Sequence, residues 1–551
     1  MDTNKFLKGK SKSAHEFFGN HPKDGGYIFR VFAPNAYKVE LIGDFNDWQG
    51  QGLRKYRTGV FSAGIKDAKK GHRYQYKITT RDGETINKLD PYARAMSVKE
   101  NCSLVGDNSY EFKNKKVYKD PKNIYQVHLG SLLKDEDFSF GMLIEHCLAN
   151  NFDYISFLPV TEYVNYKSYG YKSSGLFAFT KRYGDAKDFK KFIDKAHANN
   201  IGILVELDIY EFDESPYLFD NFDGRNLYTY DSLDIKYNYY GGLNFDPSKN
   251  ASRSYILSAV NYWLKEYNLD GLVFANIENA IYWQGQEDRG INQDWIDLLR
   301  EIINIIHKNK SYALASFNGV YDLDLEFDYV YDLSFRKILR IMQKSPFERD
   351  NYKRDIQNLI IADNSKKVLG FSYVDAFLDE ASLAMKMHGE DKIGQLKTLM
   401  TFLYSINSAK MIFRGDELAS FKTFSVFDKT SLKMKSDENL TFNDFYKDLT
   451  SLYKNEKALS SNESTTKLLD IGGYSIYAFI KAFDDNKLLV IINLTDLEYK
   501  IPSPYKLEEL INTEALAYKG SGNVNGTLNK NDFIKIRPFG SAIFKIKEDE
   551  L

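Results

Sequence analysis

Between residues 123 and 425, eight short apolar, β-rich runs alternate with segments of helical periodicity, and this alternation constrains the fold more than any other feature of the chain. The runs are IYQVHLG from Ile124, YISFLPV from Tyr154, IGILVELDIY from Ile201, GLVFANI from Gly271, YALASF from Tyr312, FDYVYDL from Phe327, KVLGFSYV from Lys367 and KMIFRG from Lys410. Near-continuous apolar runs suit parallel strands covered on both faces. Between the third and fourth runs, Ile256, Ala259, Val260, Trp263, Leu264 and Tyr267 fall on one helical face, and after the fourth Trp295, Leu298, Leu299, Ile302 and Ile306 do the same. Eight such units over about 300 residues close most economically into a (β/α)8 TIM barrel, with any active site at the C-terminal strand ends. A doubly wound open sheet is the alternative, but no Gly-rich phosphate loop follows any run.

A chain of 551 residues exceeds the size of one growing core, so flanking domains are expected. Residues 26 to 105 read as short alternating strands, with Asp82-Gly83 marking a hairpin, the pattern of a small β-sandwich. After a linking helix around Phe442 to Lys457, the runs YSIYAFIKAF, KLLVIINL and SAIFKI indicate a C-terminal all-β domain. The expected domains are 14–110, 111–440 and 441–551 in a multidomain α/β chain.

Lys and Arg number 74 against 76 Asp and Glu, with no basic block to displace counterions from a nucleic acid, so nucleic acid is not an expected partner. No run reaches the length of a membrane span or a signal peptide, and the expectation is a soluble cytoplasmic protein without a membrane partner. Cys102 and Cys147 have neither metal-ligand spacing nor the number of a disulfide framework, and are expected to be reduced and structural. Neither a metal nor a cofactor is expected.

Several words lie in a fixed order along the chain: FRVFAPNA at Phe29–Ala36, GDFNDW at Gly43–Trp48, KLDPYA at Lys88–Ala93, YQVHLGS at Tyr125–Ser131, FLPVTE at Phe157–Glu162, YGYKSSGLFAFTKRYGDAKDF at Tyr169–Phe189 and FRGDEL at Phe413–Leu418. From about residue 14 to its end the chain resembles glycogen (1,4-α-glucan) branching enzymes of the α-amylase clan. The resemblance implies that the N-terminal sandwich is a carbohydrate-binding module and that the barrel is of the catalytic type.

Branching enzymes retain anomeric configuration, which takes a carboxylate nucleophile and a carboxylic acid about 5 Å apart. The family's strand-four motif DGLRVDAV reads DGLVFANI here, so the resemblance places Ala275 at the nucleophile and Val273 at its positioning Arg. Ser316, in LASFNG, falls at the acid/base Glu, and a serine hydroxyl is far too weak an acid to replace it. Where the family has SHDE after strand seven, SYVD puts Tyr373 at the His and Val374 at the transition-state-stabilising Asp. Glu206 and Glu211 stand for a structural Asp and a His on strand three, and a solvated loop or a salt bridge is the expected setting for both. Asp375 and Glu278 lie one and three residues from the lost carboxylates, and strand alternation turns such offsets to the wrong face unless a bulge re-aims Asp375.

Tyr171 matches the family's sugar-stacking tyrosine, with a role as a second-layer barrel aromatic equally open. For Trp48 the burial habit of tryptophan favours packing inside the sandwich over a surface sugar contact. His128 reads as a satisfied core histidine, and Asp416 and Glu417 as structural. Three readings stay open: a catalytically inactive glucan-binding or regulatory pseudoenzyme with glycogen as ligand, an active branching enzyme with displaced carboxylates, and a scaffolding subunit that pairs with an authentic branching enzyme or glucan synthase.

Overall fold

The computed structural model describes the chain except for residues 1–2, 107, 239–240, 318–324, 363, 378–380, 428–430, 433–435 and 548–551. Eight strands form a closed barrel in chain order: Asn123–Val127, Tyr154–Phe157, Gly202–Glu206, Gly271–Phe274, Tyr312–Phe317, Tyr329–Asp332, Lys367–Gly370 and Ala409–Phe413. Every expected run supplies one strand, shorter than the run itself except on strand five, where Tyr312–Phe317 is the whole run. Strand three stops at Glu206 and strand four at Phe274. Strand seven ends at Gly370, and a helical turn, Tyr373–Phe377, follows instead of further strand. Gly370 takes φ +141°, and a Cβ there would meet the Met411 carbonyl oxygen at 1.8 Å, so only glycine lets strand seven approach strand eight this closely.

The chain divides into two compact units. The first comprises Met1–Tyr118, His128–Gly130 and Phe157–Asp328; the second comprises Lys119–Val127, Ser131–Ser156 and Tyr329–Leu551.

In the first unit the N-terminal region is a sandwich of a four-stranded and a six-stranded sheet. Strands Arg73–Thr80 and Thr85–Lys88 pair antiparallel across the expected hairpin, where Gly83 adopts φ +87°. Helix Asn250–Glu266 carries the first predicted stripe up to Leu264, with Tyr267 at its C-cap, and all of these residues are buried. The segment ahead of the sandwich fastens to this helix: the His15 ring bonds Ser258 Oγ at 2.7 Å, and Ser254 Oγ donates to the Phe6 carbonyl at 3.0 Å. Burial lowers the His15 pKa to about 3, so the ring enters the contact uncharged. Helix Gln293–Lys308 begins at Asn292, whose side chain caps the Trp295 N–H, and buries the second stripe.

In the second unit the linking helix runs Asp437–Asn455, beginning five residues before the expected Phe442. Beyond it lie a six-stranded and a two-stranded sheet, whose core includes Ile476, Leu489, Leu507, Ile534 and Phe544. Cys102 and Cys147 are buried free thiols. Among the described residues no helix is long and apolar enough to cross a membrane.

Trp263 is fully buried, stacks on Tyr267 with ring centroids 4.2 Å apart, and donates its indole N–H to the Leu176 carbonyl at 2.7 Å. Trp263→Ala is expected to destabilise the protein by about 3–5 kcal/mol, through a cavity and an orphaned carbonyl, read as a lowered thermal midpoint.

Candidate functional site

In the first unit, Ala275 directly follows strand four, partly exposed, with Val273 two residues earlier on the strand itself. The chain then turns through Asn276, which takes a left-handed φ of +51°, a conformation asparagine tolerates better than branched residues. Strand five holds this turn: Ser316 Oγ accepts the Asn276 N–H at 2.9 Å and the Ser316 carbonyl accepts the Ile277 N–H at 3.1 Å. The Ser316 hydroxyl thus fastens backbone. Asn318 and Gly319, the end of the LASFNG word, lie outside the described residues.

Tyr171 is half-buried and donates its hydroxyl to Glu206 Oε2. Glu206 is only 3% exposed, which corrects the expectation of a solvated loop. Glu211 is also largely withdrawn from solvent and accepts the Asn238 amide. Burial first, then the Asp208 charge, pushes the Glu211 carboxyl up to about 8, against the opposing pull of Lys172. Asp208 is itself raised to about 6 by burial, although the Lys172 N–H donates to it at 2.9 Å. Asp213 completes the group, raised by burial while accepting the Val164 N–H at 2.8 Å. Sequence reasoning singled out Glu206 and Glu211 but missed Asp208 and Asp213. The signal was present in the stretch ELDIYEFD, where four acids fall within eight residues. Among the described residues no group of His, Cys, Asp and Glu has the arrangement of a metal site.

Glu278 opens the short helix Glu278–Ile281, so strand alternation does not govern its direction. His128 is buried with its Nε2 3.0 Å from the Tyr183 hydroxyl, a satisfied core histidine as expected. Trp48 departs from expectation: it is 37% exposed, takes φ +58°, and donates its indole N–H to Asp44 at 3.2 Å. The Arg73 guanidinium, paired with both Asp44 and Glu100, lies 6.0 Å from its ring centroid. The left-handed turn after GDFND swings the ring out of the sandwich and over this ion-pair network.

In the second unit, Tyr373 and Val374 sit on the helical turn after strand seven, both half-buried. The Tyr373 N–H donates to Gln126 Oε1 at 2.8 Å. Asp375 is also helical, so the alternation argument fails for it too, yet its carboxyl is committed. It pairs with Arg336 Nε at 2.8 Å and accepts the Ser372 N–H at 2.8 Å. Burial raises its pKa, and Arg336 opposes that shift. Glu417 is buried and accepts Tyr125 at 2.8 Å and His146 at 3.0 Å; burial pushes its pKa up, but these bonds bring it below the usual value. FRGDEL is a structural word, as its position suggested.

The fold is shared with a pullulanase from Anoxybacillus sp. LM18-11, solved with maltotetraose, at a TM-score of 0.76 and 14% identity, covering 99% of this chain and 90% of that one. A putative alpha amylase from Salmonella typhimurium matches at a TM-score of 0.72 and 17% identity over 96% of this chain and all of the other. Residues 17–93 match the model of carbohydrate-binding module 48, the isoamylase N-terminal domain. The chain is 28% identical to the 1,4-alpha-glucan branching enzyme GlgB of Bacillus cytotoxicus, over 98% of this chain and 94% of that enzyme, and 28% identical to that of Geobacillus stearothermophilus, over 94% and 90%. Over nearly its whole length the chain is thus similar to 1,4-alpha-glucan branching enzymes, with a carbohydrate-binding module 48 match near its N-terminus. The matched module contains the words FRVFAPNA, GDFNDW and KLDPYA, and with them Trp48.

The Glu211 carboxyl gives the chain a pH signature. An unfolded glutamate loses its proton near pH 4.5, whereas the folded group holds it to about pH 8, so stability falls as pH rises through that interval. Glu211→Gln removes this titration. The variant's thermal midpoint should fall less between pH 5 and 8 than the parent's and exceed it at pH 8; an unchanged pH slope would contradict a buried, protonated Glu211.

Proposed function

We propose that the protein is a catalytically inactive α-glucan-binding or regulatory pseudoenzyme of glycogen metabolism, with glycogen as its ligand and an active branching enzyme or glucan synthase as a candidate partner. The observation that carries this reading is Ala275 at the end of strand four, where the resemblance requires the nucleophile. A methyl group cannot attack an anomeric carbon, and loss of one member of a catalytic unit costs on the order of 10⁴ to 10⁶ in rate. Two further features favour it. Ser316 is engaged by the Asn276 backbone, and Asp375, the acid next to Val374, is held by Arg336. Val273, Tyr373, Glu206 and Glu211 then mark the remaining altered positions of the former site. Within the same reading the chain divides at about residues 110 and 440, and glucan is held by the module through Trp48 and by the former groove through Tyr171. The exposed Trp48 face and the module match support the first contact, and the half-buried Tyr171 ring the second.

One observation favours a second reading, an active transglycosylase with displaced carboxyls: Glu211 keeps its proton at neutral pH, the protonation state of a general acid. The two readings separate in one pair of assays. On native gels with and without glycogen, the purified protein is expected to be retarded, and Trp48→Ala or Tyr171→Ala should reduce the retardation. On amylose it should form no branches. Chain transfer abolished by Glu211→Gln would establish the second reading, and unaltered mobility in glycogen would remove the first.

A further inference from the structure

Beside the N-terminal ends of barrel strands one and two, within the second unit, lies an open cavity of about 430 Å³, in the range of about 300–1,000 Å³ typical of small-molecule sites. It is roofed by the end of the linking helix and the segment 460–463, on the side of the barrel away from the strand ends discussed above.

Its charges are unevenly committed. Lys122 donates to Asn462 Oδ1 at 2.8 Å, whereas Lys454 and Lys457 make no ion pair among the described residues. Behind the wall, Lys410 is fully buried, bonded to the Ser408 hydroxyl at 2.7 Å and to the Ser408 carbonyl at 3.1 Å, with its ammonium 5.4 Å from the Tyr453 ring centroid. Burial holds its pKa well below the ordinary lysine value, and the charges of Lys481 and Lys122 push the same way. Lys122 is lowered by burial and by Lys457, against Asp120 and Asp153. The opening is lined by Lys122, Lys454 and Lys457 together with Asp120, Asp153 and Glu463, of which Asp153 pairs with Lys119 at 3.4 Å.

Other lining groups are polar but uncharged or apolar, with Asp120 as a further acceptor. Asp120 and the amides of Asn151 and Asn462 offer the donors and acceptors that hydroxyl groups match, and Phe483 supplies an apolar wall. A simple anion needs no carboxylate or amide, and a neutral sugar needs no lysine pair. A ligand with an anionic head on a polyol body uses both.

We propose that this cavity binds a hexose phosphate, with Lys454 and Lys457 on the phosphate and Asp120, Asn151 and Asn462 on the sugar hydroxyls. Charge-assisted contacts from two ammonium groups supply most of the affinity and make it fall with salt. The inference goes beyond the glucan-binding reading and does not depend on it, since the two sites share no residue.

Isothermal titration calorimetry of the full chain with glucose 6-phosphate, glucose and inorganic phosphate tests it. Glucose 6-phosphate is expected to bind more tightly than either fragment. Lys454→Ala/Lys457→Ala should weaken that binding at least tenfold without moving the thermal midpoint, because both side chains are exposed, and Asn462→Ala should reduce the preference over inorganic phosphate. Tyr171→Ala should leave it unchanged. Absence of binding, binding insensitive to the double lysine variant, or equal affinity for inorganic phosphate would each overturn the proposal.

Discussion

Strand one pairs in parallel with strand eight, Asn123 opposite Lys410 and Gln126 opposite Phe413, and this seam closes the barrel. Closure leaves no sheet edge, so every strand's backbone groups are satisfied by neighbours and the strands can be apolar on both faces. The seam is reinforced from the flanks. Tyr404 donates to Asn123 at 2.8 Å, Tyr125 reaches Glu417 just beyond strand eight, and Tyr453 of the linking helix donates to the Ser408 carbonyl at 3.1 Å. Buried tyrosines here each bring a large apolar body with one hydroxyl that finds a partner.

The same closure explains how the barrel keeps its shape whatever residues stand at its strand ends. Strand ends in a TIM barrel feed loops, and a loop needs anchors whether or not it carries catalysis. Here the anchors are polar residues at the strand ends: Ser316 holds the strand-four turn, and Asp375 with Arg336 holds the turn after strand seven. Around strand three the buried acids Glu206, Asp208 and Glu211 are accommodated by Tyr171, the Lys172 backbone and Asn238. Burying several carboxyls costs free energy, and proton retention by Glu211 is how part of that cost is relieved.

Much of the architecture was legible in the residues. Eight runs gave eight strands, both helical stripes are buried, and the Asp82-Gly83 turn sits between paired strands. These signals are local and periodic, so one chain suffices to read them. Trp48 was misread for the opposite reason. Its burial habit is an average over proteins, while its exposure follows from a left-handed backbone turn beside Asp44 and Arg73. The direction of Asp375 and Glu278 was argued from strand alternation, which does not hold because each strand stops short and a helical turn begins.

By itself, then, the sequence determined the barrel and its flanking β-domains, because periodicity and turn chemistry are written into neighbouring residues. It also determined which residue types stand at the strand ends. Only the tertiary structure decided what those residues touch: Ser316 on the Asn276 backbone, Tyr171 on Glu206, Asp375 on Arg336, and Glu417 on Tyr125. Such contacts join residues separated by tens or hundreds of positions, and the burial that sets their charge states exists only once the chain has closed on itself.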